Sequence, residues 1–144
     1  MKKVGLLLIC GLFFSLSVQA QECQKDILLL EKKLADCSIN YEENASTAEM
    51  NNATYKAADC VISVAHQLFE KFYSSTADES KELFNGMVQK IYEHAHHLKR
   101  GSDYASKYYT GTMYYTIAIG TAEEMIQTLV KSYLDEVKSE CADR

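Results

Sequence analysis

Apolar residues recur at three- and four-residue steps along most of this chain, the repeat that lines one face of an α-helix. Cys23, Ile27, Leu30, Leu34, Cys37 and Tyr41 are spaced 4-3-4-3-4 and predict a first helix whose seam packs against another helix. The chain is expected to turn back around residues 42–45. Ser46-Thr47-Ala48-Glu49 is a capping box, in which hydroxyl and carboxylate satisfy orphan amides at a helix start. It opens a second helix with apolar positions at Met50, Ala53, Ala57, Cys60, Val61, Val64, Leu68 and Phe72. Ser74-Ser75 breaks that helix, and Thr76-Ala77-Asp78-Glu79 is a second capping box. The third helix carries Leu83, Met87, Ile91, Ala95 and Leu98 on one face, with Phe84, Val88 and Tyr92 widening it. Lys99, Arg100 and Gly101 end it as a basic last turn plus a glycine. Residues 102–112 read as a polar, Tyr-bearing connection. From Met113 to about Ser139 a last helix runs through Ile117, Met125, Leu129, Tyr133 and Val137, with Gly120 a point where it can bend. The chain has no proline, no strand-like alternation, no repeat and no linker. The fold class is therefore all-α, a small bundle of about four main helices.

The first twenty residues follow a different pattern. Lys2 and Lys3 precede a short apolar run from Val4 to Leu16, and Val18-Gln19-Ala20 places small residues where a signal peptidase cuts. Residues 1–20 thus read as a secretory signal peptide of bacterial type, with Gln21 the first residue of the mature chain. The apolar run is too short to span a bilayer, so no stable membrane anchor is expected. A lipoprotein leader needs a small residue before its cysteine, and Ile9 precedes Cys10. Residues 21–144 are long enough for one helical domain and one core. The expected location is the periplasm or the exterior.

Export changes the meaning of the cysteines. Cys23, Cys37, Cys60 and Cys141 survive cleavage, and an even count in a small exported domain predicts two disulfides. Without a C-x-x-C pair, neither a zinc ribbon nor a thioredoxin-type site is indicated. Cys23 and Cys37 lie roughly 21 Å apart along one helix, so each must bond a different element. A turn at residues 42–45 would bring Cys60 opposite Cys23. The favoured pairing is therefore Cys23–Cys60 with Cys37–Cys141.

Charge narrows the partners. Of 15 basic and 20 acidic side chains, Lys2 and Lys3 leave with the leader, so 13 stand against 20 and the net charge is −7. Nucleic acid and anionic lipid suit such a surface poorly, whereas a cationic protein suits it well. Tyr104, Tyr108, Tyr109, Tyr114 and Tyr115 are half of the ten tyrosines. Tyrosine offers rigid contact area with a polar tip, so this segment is the candidate partner-binding surface. Tyr114 and Tyr115 also suit packing at the end of the bundle.

Catalytic chemistry finds little support. Glu93-His94-Ala95-His96-His97 places His94 and His97 at i,i+3 and Glu93 and His97 at i,i+4, making His94, His96 and His97 weak metal-ligand candidates. No H-E-x-x-H, G-x-S-x-G or phosphate-cradling glycine motif occurs. The carboxylates Glu42-Glu43, Glu123-Glu124 and Asp135-Glu136 are sequence neighbours that diverge by roughly 100° on a helix, and are expected on the solvated surface. The sequons at Asn44 and Asn52 are read as unmodified. No cofactor is called for, and the chain is expected to be non-enzymatic.

Residues 45–137 resemble the lysozyme inhibitor LprI-like N-terminal domain family. Ala48-Glu49-Met50-Asn51 and Tyr55-Lys56-Ala57-Ala58-Asp59 look like that family's opening helix, which continues D-x-x-L-N-x-x-Y where this chain has Asp59, Ile62, Ser63 and His66. The family's Q-x-x-W-x-x-x-R appears as Gln89, Tyr92 and His96, and Gly111-Thr112-Met113-Tyr114 with Gly120-Thr121 is similar to its G-[ST]-M run. The two cysteines of the family's pattern fall at Met50 and Thr121, so both are absent together. The resemblance implies an exported protein that occludes a lysozyme or similar muramidase. An immunity protein against a secreted antibacterial toxin fits size, export and charge equally, and a His-based metal module is the third class. Mass spectrometry of the protein secreted by its native cell is expected to find Gln21 at the N-terminus; Met1 or an acylated cysteine there would refute the leader reading.

Overall fold

A computed structural model describes residues 5–40, 42–101 and 112–142, with side chains for 20–40, 42–97 and 116–142. Four α-helices account for nearly all of it, and no strand occurs among the described residues: α1 Gly5–Asp36, α2 Thr47–Phe72, α3 Ala77–Gly101 and α4 Thr112–Ala142. The fold is an all-α bundle stapled by two cysteine pairs at disulfide distance.

Local signals set most of the boundaries. The Ser46 hydroxyl accepts from the Glu49 amide at 3.3 Å, while the Ser46 amide donates to the Glu49 carboxylate at 2.7 Å. This reciprocal cap starts α2 one residue later and holds the Glu49 carboxyl below its ordinary range. The chain then leaves α2 at Tyr73, whose amide bonds the Phe69 carbonyl, and enters α3 at Ala77 after Thr76. α3 closes at Gly101, and α4 continues unbroken through Gly120.

The helices alternate in direction. Asp26 pairs with Lys71 and Cys37 with Cys60, which sets α1 antiparallel to α2. Lys81 with Glu70 and Tyr133 with Met87 set α3 antiparallel to both α2 and α4. Cys23 with Cys141 and Glu31 with Lys138 do the same for α1 and α4. α2 and α4 therefore run parallel as the central pair, with α1 and α3 as flanks. The core comprises Ile27, Leu30 and Leu34 of α1, Val61, Val64, Leu68 and Phe69 of α2, Phe84 and Val88 of α3, and Ile126, Val130, Leu134 and Val137 of α4. Among the described side chains of α1, Cys23 is the first packed against the core and Ile27 the first within it, so removal of residues 1–20 would leave every described core contact in place.

Three expectations are corrected. The cysteines pair as Cys23–Cys141 and Cys37–Cys60, with Cα separations of 6.0 and 5.5 Å, not as Cys23–Cys60 and Cys37–Cys141. The reason is helix length. α1 stops at Asp36, and α2 starts at Thr47, thirteen residues before Cys60. That first stretch of α2, about 20 Å long, overshoots the end of α1 and brings Cys60 level with Cys37. The seam of α1 still bridges two different elements, as its length demanded.

The second correction concerns α3 and α4. The inward stripe of α3 is Phe84, Val88 and Ala95, while Leu83 is 64% and Met87 41% exposed. On α4 the inward stripe is Ile119, Ala122, Ile126, Val130, Leu134, Val137 and Cys141, and Met125 and Leu129 lie at its margin. Ala95 and Val137 are buried as predicted, while Phe84 and Val88 replace Leu83 and Met87, and Ile126 and Val130 replace Met125 and Leu129, as the innermost side chains. Aromatic packing decides the matter: Phe84 meets Phe69 edge-on at 5.7 Å and Tyr133 at 6.4 Å, and Phe69 meets Tyr133 at 5.6 Å. The third correction is Glu123, which is buried rather than on the solvated surface, while Glu124 is exposed.

On the chain-entropy view, the 118-residue separation of Cys23 and Cys141 makes that link worth about 5 kcal/mol, and the 23-residue separation of Cys37 and Cys60 about 3.5 kcal/mol. Peptide mapping of the unreduced mature protein is expected to recover Cys23 joined to Cys141 and Cys37 joined to Cys60; a Cys23–Cys60 peptide would refute this topology.

Candidate functional site

Of the predicted contact surface, Tyr104, Tyr108 and Tyr109 lie outside the described residues. Tyr114 and Tyr115 fall in the first turn of α4, with side chains outside the described set. Two features that sequence reasoning did not isolate are built by the packing of α3 on α4.

The first is an acidic pole at the α2–α3 turn. Tyr73 ends α2 half-buried, its ring edge-on to Phe69 at 6.0 Å. Burial, and then the negative charges of Glu136 and Glu140 from α4, push its phenol above the ordinary range. Glu140 sits in the last turn of α4, where exposed carbonyls already carry partial negative charge and no basic side chain compensates. The antiparallel pairing puts Glu79 and Glu82 of α3 at this same end. Lysines nearby are engaged elsewhere: Lys71 with Asp26 at 2.7 Å, Lys81 with Glu70 at 2.6 Å and Lys138 with Glu31 at 2.7 Å. The Lys81 contact lowers the Glu70 carboxyl, and the Glu31 contact raises the Lys138 ammonium. Among the described residues no ion pair involves Glu79, Glu82, Glu136 or Glu140. Four carboxylates outside any described ion pair thus share this end of the bundle.

The second is an open groove of about 1130 Å³ between α3 and α4. Its floor is Leu83, Met87 and Ile91 from one helix and Met125 and Leu129 from the other. These are the apolar positions that periodicity assigned to the core. Because Phe84 and Val88 take the inward face, the neighbouring stripe is left in solvent. Glu79 and Glu82 stand at one end of the groove, Lys90 and His94 at the other.

The histidine cluster assembles less. His94 and His97 are exposed and His96 is half-buried on α3. Glu93 is held by Lys90 at 2.9 Å and Gln89 at 3.1 Å, which keeps its carboxyl low and turns it away from ligand duty. His66 is occupied on α2, with its Nε2 3.0 Å from the Asn85 Oδ1 and its ring edge-on to Phe84. Among the described residues no group of three His, Cys, Asp or Glu side chains converges as a metal would require. Cys23, Cys37, Cys60 and Cys141 are all paired, so none of them offers a thiolate. Among the described residues, no helix is long and apolar enough to cross a membrane.

Comparison of the chain with protein-family models, curated proteins and solved structures gives no match in any of the three.

Glu123 gives a test of the electrostatics. Burial first, and then the neighbouring Glu124, raise its carboxyl above the ordinary range, with Lys131 opposing. A raised folded-state value means that Glu123 favours folding while protonated and loses that contribution as pH climbs through its folded pKa. Glu123→Gln is therefore expected to raise Tm at pH 7 by about 2–4 °C, with the gain vanishing below the ordinary carboxylate range. Calorimetry across pH would expose an error as a gain that persists at acid pH or a loss at pH 7.

Proposed function

We infer that this is an exported, non-enzymatic binding protein that acts in the bacterial periplasm or outside the cell by occluding a cationic protein. The observation that carries the reading is the acidic pole, where Glu136 and Glu140 flank a half-buried Tyr73 and no described cation neutralises them. Carboxylates that stabilise nothing internally are well placed to steer a basic partner, and the tyrosine supplies rigid contact area beside them. The leader-like residues 1–20 and two cysteine pairs at bonding distance support export to an oxidising compartment.

The resemblance to LprI-like domains makes the partner a lysozyme or related muramidase, a class of basic enzymes. Tyr55 and Tyr92, from two separate blocks of that resemblance, stand with ring centroids 6.3 Å apart, although Tyr92 takes the place of the family's tryptophan. Occlusion needs no chemistry from the inhibitor, only a surface that covers the enzyme's cleft. The tyrosines at 104–115 remain a second candidate contact.

Purified mature protein, oxidised and starting at Gln21, is expected to inhibit at least one of the c-, g- and i-type lysozymes. Glu136→Gln with Glu140→Gln should weaken that inhibition about three- to tenfold at low salt and much less at high salt, where the field is screened. Absence of inhibition and of binding at micromolar concentration would refute the reading. Inhibition that ignores both substitutions would place the contact elsewhere, with Tyr108→Ala the next variant.

A further inference from the structure

The exposed face of α3 is self-complementary. Leu83 lies four residues before Met87 and Ile91 four residues after it, so the apolar stripe is symmetric about Met87. The end before Met87 is acidic, with Glu79 and Glu82 eight and five residues ahead of it, while Lys90 and His94 follow by three and seven. Gly86 sits at the centre, exposed, and a Cβ placed there would meet nothing within 4 Å. A glycine in an exposed helix interior costs roughly 0.5–1 kcal/mol relative to alanine, and nothing inside this chain explains it. A close neighbour from outside would.

We propose that the α3–α4 groove is occupied by α3 of a second copy of this chain, the two α3 helices crossing antiparallel about a two-fold axis at Gly86–Met87. A two-fold contact presents the same patch twice, so the patch must complement its own reverse. Here the reversal sets Leu83 against Ile91 of the other copy and Met87 against its counterpart. Glu82 comes over Lys90, and Glu79 over His94. Leu83 and Met87, 64% and 41% exposed in the single chain, would reach Met125 and Leu129 on the far wall. The order of polar groups favours the antiparallel copy, in which Lys90, bonded to Glu93 of its own chain at 2.9 Å, would gain Glu82 as a second carboxylate. A parallel arrangement would place carboxylate on carboxylate, and an unrelated apolar helix would have no reason to carry this particular reversed order.

The contact is small. The run from Glu79 to His94 is about 22 Å of helix, below the area of a standard stable interface, so the dimer is of micromolar affinity or weaker. Glu136 and Glu140 lie on α4 outside the groove lining, so the dimer would carry two acidic poles directed away from each other. The inference stands apart from the inhibitor reading, since it needs only the chain itself.

Sedimentation equilibrium of the oxidised mature protein, from about 10 µM to 0.5 mM, is expected to show a monomer–dimer equilibrium. Met87→Glu and Leu83→Glu should each raise the dimer Kd at least tenfold while leaving circular dichroism and both disulfides unchanged, since both positions face solvent in the monomer. Carbodiimide treatment of mixed isotope-labelled and unlabelled protein should join Glu82 of one copy to Lys90 of the other. A monomer mass throughout, a dimer that survives both substitutions, or cross-links that exclude these residues would each overturn the proposal. None of these outcomes alters the lysozyme assay, which separates the two readings.

Discussion

The contact of Phe84 with Phe69 and Tyr133 governs how this molecule is put together. Three rings from three helices meet edge-on at 5.6–6.4 Å, a geometry worth about 0.5–1.5 kcal/mol per pair beyond the area that the rings bury. Their larger consequence is rotational. With Phe84 inward, α3 must turn Leu83 and Met87 outward, and with Ile126 and Val130 inward, α4 must leave Met125 and Leu129 at its margin. The groove is the other side of that choice.

α1 is held by a different device. Its seam is anchored at both ends, to α4 through Cys23 and to α2 through Cys37, and Ile27, Leu30 and Leu34 fill the space between. Ion pairs from Asp26 and Glu31 run alongside on the surface, where each contributes little. α3 has no covalent link to the rest and relies on its aromatic and aliphatic face. The cross-links thus hold α1 at two points and tie down the last turn of α4. The helix that bears the exposed apolar stripe is held by packing, the Lys81–Glu70 ion pair and the His66–Asn85 hydrogen bond.

Charge is distributed with the same asymmetry. Lys71, Lys81 and Lys138 are engaged by Asp26, Glu70 and Glu31, and carboxylates outside any described ion pair meet at the α2–α3 turn and the end of α4. There they meet Tyr73, and the field is felt as a raised phenol. Such a pole does nothing for the fold, since Glu140 opposes the dipole of its own helix. On the proposed reading it serves the encounter with a cationic surface, where long-range attraction accelerates association.

Much was decided by local sequence. The capping box at Ser46, the break after Phe72 and the glycine stop at Gly101 depend on interactions within one turn of helix, and these fall where their residue types require. That Cys23 and Cys37 must serve different partners follows from rise per residue alone. Tertiary structure decided the rest. Leu83 and Phe84 are both apolar and adjacent, so periodicity offers two equally good stripes, and only the partner helices choose between them. Cys60 could face either end of α1 until the overshoot of α2 past Asp36 set the level. Glu123 and Glu124 are indistinguishable as neighbours in a sequence, yet the rotation of α4 buries one and exposes the other. In each case the local energy is nearly degenerate, and a non-local contact of a kcal/mol or so is enough to settle it.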